Sequence, residues 1–155
     1  VLNHTGHPPK GDLLAITDEN WDLAHDMILK SVIRMARLVT PVMEAQGGGS
    51  IVNVTTYAAF EPSLWFPASC AYRAAVSSFT KLYSDRYGPQ NIRMNCLAPG
   101  FTDSLDVAKY GDLAALKRIA SVEEQAKAAA FLLTEDSSYV TGQTLRVDGG
   151  LTRHV

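Results

Sequence analysis

The sequence predicts an α/β protein, a parallel sheet whose strands alternate with helices lying on both of its faces. Two observations carry this. Short runs rich in β-branched and apolar residues, SIVNVT (50–55), IRMNCLAPG (92–100) and QTLRVDGG (143–150), are bounded by glycine, proline or polar loops. Between them the apolar residues recur at helical spacing, and the connections are long enough for crossovers between parallel strands.

The chain opens on VLNHTG, which reads as the tail of a strand running into a polar loop, and GHPPKG (6–11) can propagate neither helix nor strand. From Thr17, a candidate N-cap, apolar residues follow at Trp21, Ala24, Met27, Ile28, Val32, Met35, Leu38 and Val42, which predicts a long amphipathic helix ending at Gly47–Gly48–Gly49. A buried strand over 50–55 comes next. A loop through Pro62 and Pro67 leads into a helix over 68–87, with Gly88 placed to cap it. After the strand at 92–100, SVEE (121–124) is a capping box opening a helix to about residue 133. The last strand stops at Gly149–Gly150. The first strand has no partner on its far side, and an open apolar edge invites pairing.

Composition narrows the function classes. The 155 residues suit one domain, 46% hydrophobic and 19% charged, and the formal net charge of −2 gives no basic patch for nucleic acid or an anionic membrane. Cys70 and Cys96 lack the spacing of a zinc site and read as buried free thiols. With no membrane-length apolar run and no signal-peptide pattern, a cytoplasmic protein is expected.

Four segments resemble the second half of a short-chain dehydrogenase/reductase. LNHTG (2–6) is similar to the family's Asn-Asn-Ala-Gly loop, SIVNVTT (50–56) to the strand carrying its catalytic serine, and LAPGFTDS (97–104) to the Pro-Gly loop over the nicotinamide. SSYVTGQTLRVDGG (137–150) is similar to its closing strand and is the most specific of the four. The resemblance covers nearly all of residues 1–155 and implies a Rossmann-like doubly wound parallel sheet, its second half only, as a single partial domain. It also implies NAD or NADP as cofactor and a small carbonyl or alcohol as substrate. The cofactor-side positions it marks are Asn3, Gly6, Arg73, Pro99, Gly100 and Ser104.

The front of that fold does not occur in the sequence. No G-x-x-x-G-x-G or G-x-G-x-x-G turn is present to bring a pyrophosphate against backbone and helix N-terminus, and QGGGS (46–50) precedes a strand, as a helix stop would. The expectation is a fragment lacking the first βαβαβ portion, or a half sheet completed by another chain. Where the family places a substrate-covering loop, KYGDLAALKRIA (109–120) runs straight into SVEE, so part of that lid is expected to be deleted.

The family's hydride transfer uses a Tyr-x-x-x-Lys pair on one helical face, with a serine thirteen residues before the tyrosine. An acid must protonate the carbonyl oxygen, and a neighbouring cation lowers the phenol's pKa from about 10. Aligning RAAV on the family's KAAV puts Arg73 at the lysine position and Ser69 at the tyrosine position, and thirteen residues back from Ser69 stands Thr56. The fourth position, an asparagine in the family, falls on Ile28. Threonine keeps a hydroxyl, serine is too short and too weakly acidic to replace a phenol, and arginine differs from lysine's point charge. The standard proton relay is expected to be absent.

The sequence leaves open whether Tyr72 or Tyr57 compensates, although the i+4 partner of Tyr72 is the uncharged Val76. His4 and His7 near the cofactor loop and Glu61 read as solvated. Trp65 and Phe66 either wall a substrate pocket or simply pack. Two alternatives to a redox-inactive relative stand beside it. One is a non-catalytic scaffold or regulatory subunit of a dehydrogenase-like oligomer, built on the helices at 18–46 and 68–87 that form the family's four-helix dimer core; a homo-oligomer, or a missing N-terminal half, is the expected partner. The other is a lyase-type activity with Arg73 as anion holder and Thr56 as donor.

Overall fold

Strand order in space follows strand order in the chain. The computed structural model describes residues 1–153 and places β1 (Leu2–Asn3), β2 (Gly49–Val54), β3 (Ile92–Pro99) and β4 (Thr144–Val147) side by side in one sheet, every pairing parallel. The C-terminal ends of the strands therefore emerge along a single edge.

Alternation along the strands divides the core. Ile51, Ile92, Met94 and Cys96 point to one face, covered by Ile28, Val32, Ala36, Met43, Val76 and Tyr83, whereas Val52 and Leu97 point to the other, against Ala129 and Leu132. Burial on both faces is why β2 and β3 read as continuous apolar runs. The first face is packed by α2 (Ser31–Ala45), the turn before it and α3 (Pro67–Tyr87), with α1 (Asp18–His25) lying against α3, and the second face by α4 (Val122–Leu133).

Thr17 caps α1 as expected, its hydroxyl accepting from the Asn20 amide at 3.3 Å. The long helix is not continuous, however. Residues Asp26–Lys30 widen into a π turn, with the Ser31 amide donating to the Asp26 carbonyl five residues back. The Ser31 hydroxyl donates to the Met27 and Ile28 carbonyls at 2.7 and 3.1 Å, giving displaced acceptors a partner. Gly47, with φ of 86°, turns the chain out of α2 and into β2.

The end of α3 differs from expectation. Gly88 stays right-handed and begins a short 3₁₀ turn, Gly88–Gln90, and the left-handed residue is Asn91 at φ 58°. Asparagine tolerates that region because its short polar side chain bonds locally, here with Nδ2 donating to the Gly47 carbonyl at 3.2 Å. At α4 the capping box is complete, Ser121 Oγ accepting from the Glu124 amide at 3.2 Å and Glu124 Oε2 from the Ser121 amide at 2.9 Å.

Buried polar groups stitch the layers. The Asn3 amide donates to Asn53 Oδ1 at 2.8 Å, Asn53 donates on to Thr80 Oγ1 at 3.0 Å, and Thr80 meets Cys96 Sγ at 3.1 Å, a chain running from β1 through β2 and α3 to β3. Thr40 and Tyr83 join α2 to α3 through a 2.5 Å hydroxyl pair. Arg93, 8% exposed, holds the end of α4 by donating to the Leu132 and Thr134 carbonyls at 3.1 and 2.9 Å and to Ser137 Oγ at 2.8 Å. Along the open flank of β1 runs a groove lined by Val1, Leu38, Val39, Val42 and Leu133.

No helix among the described residues is long and apolar enough to cross a membrane. Among them, no group of His, Cys, Asp and Glu side chains gathers where it could hold a metal ion. Both cysteines are buried and unbridged.

Candidate functional site

The edge where parallel strands end is where α/β sheets bind ligands, and the sequence-predicted residues gather there. Thr56 lies two residues past the end of β2. It is half-buried, extended at φ −161°, and its hydroxyl accepts from the Ala58 amide at 3.4 Å. Ser69 and Arg73 stand one turn apart in the first half of α3, each 5% exposed.

Arg73 does not face open solvent. Its Nε donates to Ser69 Oγ at 3.1 Å, Nη1 to the Val54 and Thr55 carbonyls at 2.7 and 3.4 Å, and Nη2 to the Gly6 and Thr5 carbonyls at 3.1 and 3.5 Å. Burial pulls its pKa below the ordinary arginine value. None of the ion pairs among the described residues includes it, and its neighbours are the Ser69 hydroxyl and four backbone carbonyls.

Tyr72 turns the other way. Its ring stacks on His25 at 5.3 Å between centroids and meets Trp21 edge-on at 5.8 Å, packed among residues of α1, α2 and α3. Ile28 lies in the π turn with its side chain 2% exposed against Val76 and Cys96, so an apolar group fills that position. The Asn3 side chain is engaged with Asn53. His4 and His7 are exposed, and burial together with Arg73, Lys10 and His4 lowers the pKa of His7.

Pro99 ends β3. Gly100 is required by close approach, since a Cβ there would lie 2.7 Å from the Asp148 Cα, while Ser104 is exposed on the following turn. Glu61, expected at the surface, is half-buried and accepts from the Arg153 amide. The segment at 101–120 is fixed to its surroundings by Ala120 donating to the Phe101 carbonyl at 2.9 Å and Leu116 to that of Gly149 at 3.1 Å.

A chain of rings spans the same edge, joining Tyr57, Trp65 and Phe66 to Phe101 and Tyr110, two rings that the sequence did not single out. Tyr57 contacts Phe66 and Phe101 at 6.5 and 5.4 Å, Phe101 stacks on Tyr110 at 5.0 Å, and Tyr110 meets Trp65 at 5.4 Å. Each ring borders a recognised motif, which was the available signal. Burial, with Cys70, Glu61 and Tyr110 beside it, raises the pKa of Tyr57, the opposite of what a proton donor at neutral pH needs.

Arg73, the cation that the resemblance sets against the nicotinamide ribose, has an acceptor within the protein on each nitrogen, one of them the Ser69 hydroxyl that the resemblance sets at the phenol's position. As placed here, Arg73 and Ser69 bond to the protein and to each other, an arrangement that differs from the free cation and phenol the resemblance implies at the nicotinamide.

Residues 1–152 match a family model described as enoyl-(acyl carrier protein) reductase. Over 97% of its length the chain is 36% identical to dehydrogenase/reductase SDR family member 4 of Pongo abelii, spanning 58% of that protein. It is 34% identical to the 3-oxoacyl-acyl-carrier-protein reductase of Thermotoga maritima, spanning 65% of it. The L-sorbose reductase of Gluconobacter frateurii, solved with NADPH and L-sorbose, superposes with a TM-score of 0.93 at 28% identity, covering 99% of this chain and 66% of that one. The chain thus spans about three fifths of the length of the mammalian relatives it matches.

Proposed function

We propose, from the premise that the chain belongs to the short-chain dehydrogenase/reductase family, that it is a member of this oxidoreductase lineage that does not itself transfer hydride. The lineage reaction is NAD(P)-dependent interconversion of a small carbonyl compound and an alcohol. The observation that carries the reading is the Ser69–Arg73 bond, because it directs the guanidinium at a serine hydroxyl, far too weak an acid to stand in for a phenol. Neither spare tyrosine supports a substitute: Tyr72 packs against Trp21 and His25, and Tyr57 has its pKa raised by burial.

Assaying the purified protein with NADH and NADPH against aldehydes and ketones, and with the oxidised cofactors against alcohols, is the test. Calorimetric titration of the cofactor alongside separates loss of chemistry from loss of binding. Turnover above background with any pair would refute the reading.

A second reading, a scaffold in a homo-oligomer, is favoured by the outer surface of the long helices, where Leu38 is 71% exposed, Val42 62% and Leu82 66%. Leu38 and Val42 lie four residues apart, on one face of α2. The segment that would complete the sheet beside β1, whether from a longer form of this chain or a partner, is expected to supply any pyrophosphate-binding turn. The lyase reading with Arg73 as anion holder finds no support in a guanidinium already facing five protein oxygens.

A further inference from the structure

We propose that Ser69 and Arg73 form a matched structural clasp that ties the loops after β1 and β2 to α3, so that restoring the family's lysine loosens the site instead of reviving it. The inference rests on the reading that the hydride-transfer set has been replaced, and it adds what the replacement does.

A guanidinium presents five N–H groups in a fixed planar fork. Here it faces five acceptors from three segments: Ser69 Oγ on its own helix, the carbonyls of Val54 and Thr55 leaving β2, and those of Thr5 and Gly6 leaving β1. The two shortest contacts to carbonyls, 2.7 Å to Val54 and 3.1 Å to Gly6, come from different nitrogens, so the fork bridges two neighbouring strand ends. Lysine has one nitrogen on a flexible stem and cannot reach Val54, Gly6 and Ser69 together. Of the carbonyls it left, that of Thr55 belongs to a buried residue and those of Val54 and Thr5 to half-buried ones, and such groups are costly without a donor.

The geometry also accounts for the serine. An Nε–H directed along the helix toward position 69 needs a small acceptor one turn back, and Ser69 Oγ supplies it at 3.1 Å. The two substitutions therefore depend on each other, and they make the floor of the cleft rigid where the family's ammonium serves a ligand.

Nuclear magnetic resonance of the protein carrying isotope-labelled arginine tests this on the unaltered chain. The Nη protons of Arg73 are expected as separate, slowly exchanging signals while those of exposed arginines average, and titration with bromide or inorganic phosphate is expected to leave them in place. Averaged Arg73 signals, or a saturable shift with either anion, would overturn the clasp. In a second arm, Arg73→Lys is expected to raise amide exchange at least tenfold in residues 4–7 and 55–58, with Ser69→Ala less than additive on that background. Unchanged exchange in Arg73→Lys would equally overturn it. Should that variant not fold, the unaltered chain's signals decide. Turnover by the unaltered protein would sink the reading on hydride transfer and leave these signals to judge the clasp separately.

Discussion

The Nε of Arg73 lies 3.1 Å from the Oγ of Ser69, one helical turn earlier, so the two positions that the sequence resemblance aligns with a proton donor and its cation are bonded to each other in this chain. Removing the serine hydroxyl leaves a charged donor unmatched at a site 5% exposed. Ser69→Ala is expected to cost about 1–3 kcal/mol, read as a lower urea midpoint at unchanged slope. Ser69→Thr, which keeps the hydroxyl, is expected to cost less. Equal stability of Ser69→Ala and the parent would contradict the bond.

Tyr83 tests the joint between the long helices. Its hydroxyl lies 2.5 Å from Thr40 Oγ1, which itself donates to the Ala36 carbonyl at 2.6 Å. Tyr83→Phe keeps the ring packing and is expected to destabilise by about 1 kcal/mol, whereas in a Thr40→Val background the same change is expected to cost much less. Independent, additive losses would count against the pair.

Glu124 gives a pH dependence with a definite sign. Bonds from Arg118 and from the Ser121 amide lower its pKa from 4.5 to about 2. A carboxylate depressed in the folded state contributes stability that is complete above its unfolded pKa and is lost as pH falls through the folded one. Stability is therefore expected to decline from about pH 4.5 toward pH 2, and Glu124→Gln to flatten that part of the curve in denaturation series across pH. A curve with the same slope in both proteins would refute the assignment.

The outer face of α2 tests the oligomer. Leu38→Glu combined with Val42→Glu places charge on two residues 71% and 62% exposed, where a monomer would tolerate it within about 0.5 kcal/mol. Sedimentation is expected to show an oligomer for the parent and a monomer for the double variant. A monomeric parent would contradict the scaffold reading.

Much of the fold was legible because it depends on periodicity and side-chain type. The capping box at Ser121, the cap at Thr17 and the buried runs at Ile51 and Met94 each declare themselves through the residues involved. The π turn at Asp26–Lys30 did not, because one extra residue in a turn leaves the run of apolar positions looking helical. At the end of α3, glycine was the expected left-handed residue, yet the chain coiled on through Gly88 and turned at Asn91, a choice between two residues that both tolerate the conformation.

The site divides in the same way. The resemblance of RAAV to KAAV singled out Ser69 and Arg73, and their spacing of four on a helix places both on one face. The other four acceptors of Arg73 are backbone carbonyls of Val54, Thr55, Thr5 and Gly6, and a carbonyl has no sequence signature. The ring chain from Tyr57 to Trp65 was hidden for a related reason: its members come from separate segments, and only folding makes them neighbours.

The measurement closest to the central claim is isotope transfer. Incubating the protein at high concentration with NADPH deuterated at the hydride position and a set of ketones and aldehydes, then analysing the products by mass spectrometry, detects even a few turnovers. The account predicts no alcohol bearing deuterium beyond the protein-free control. Deuterated alcohol in excess of the protein would show that Ser69 and Arg73, or a group overlooked beside them, still carry the reaction.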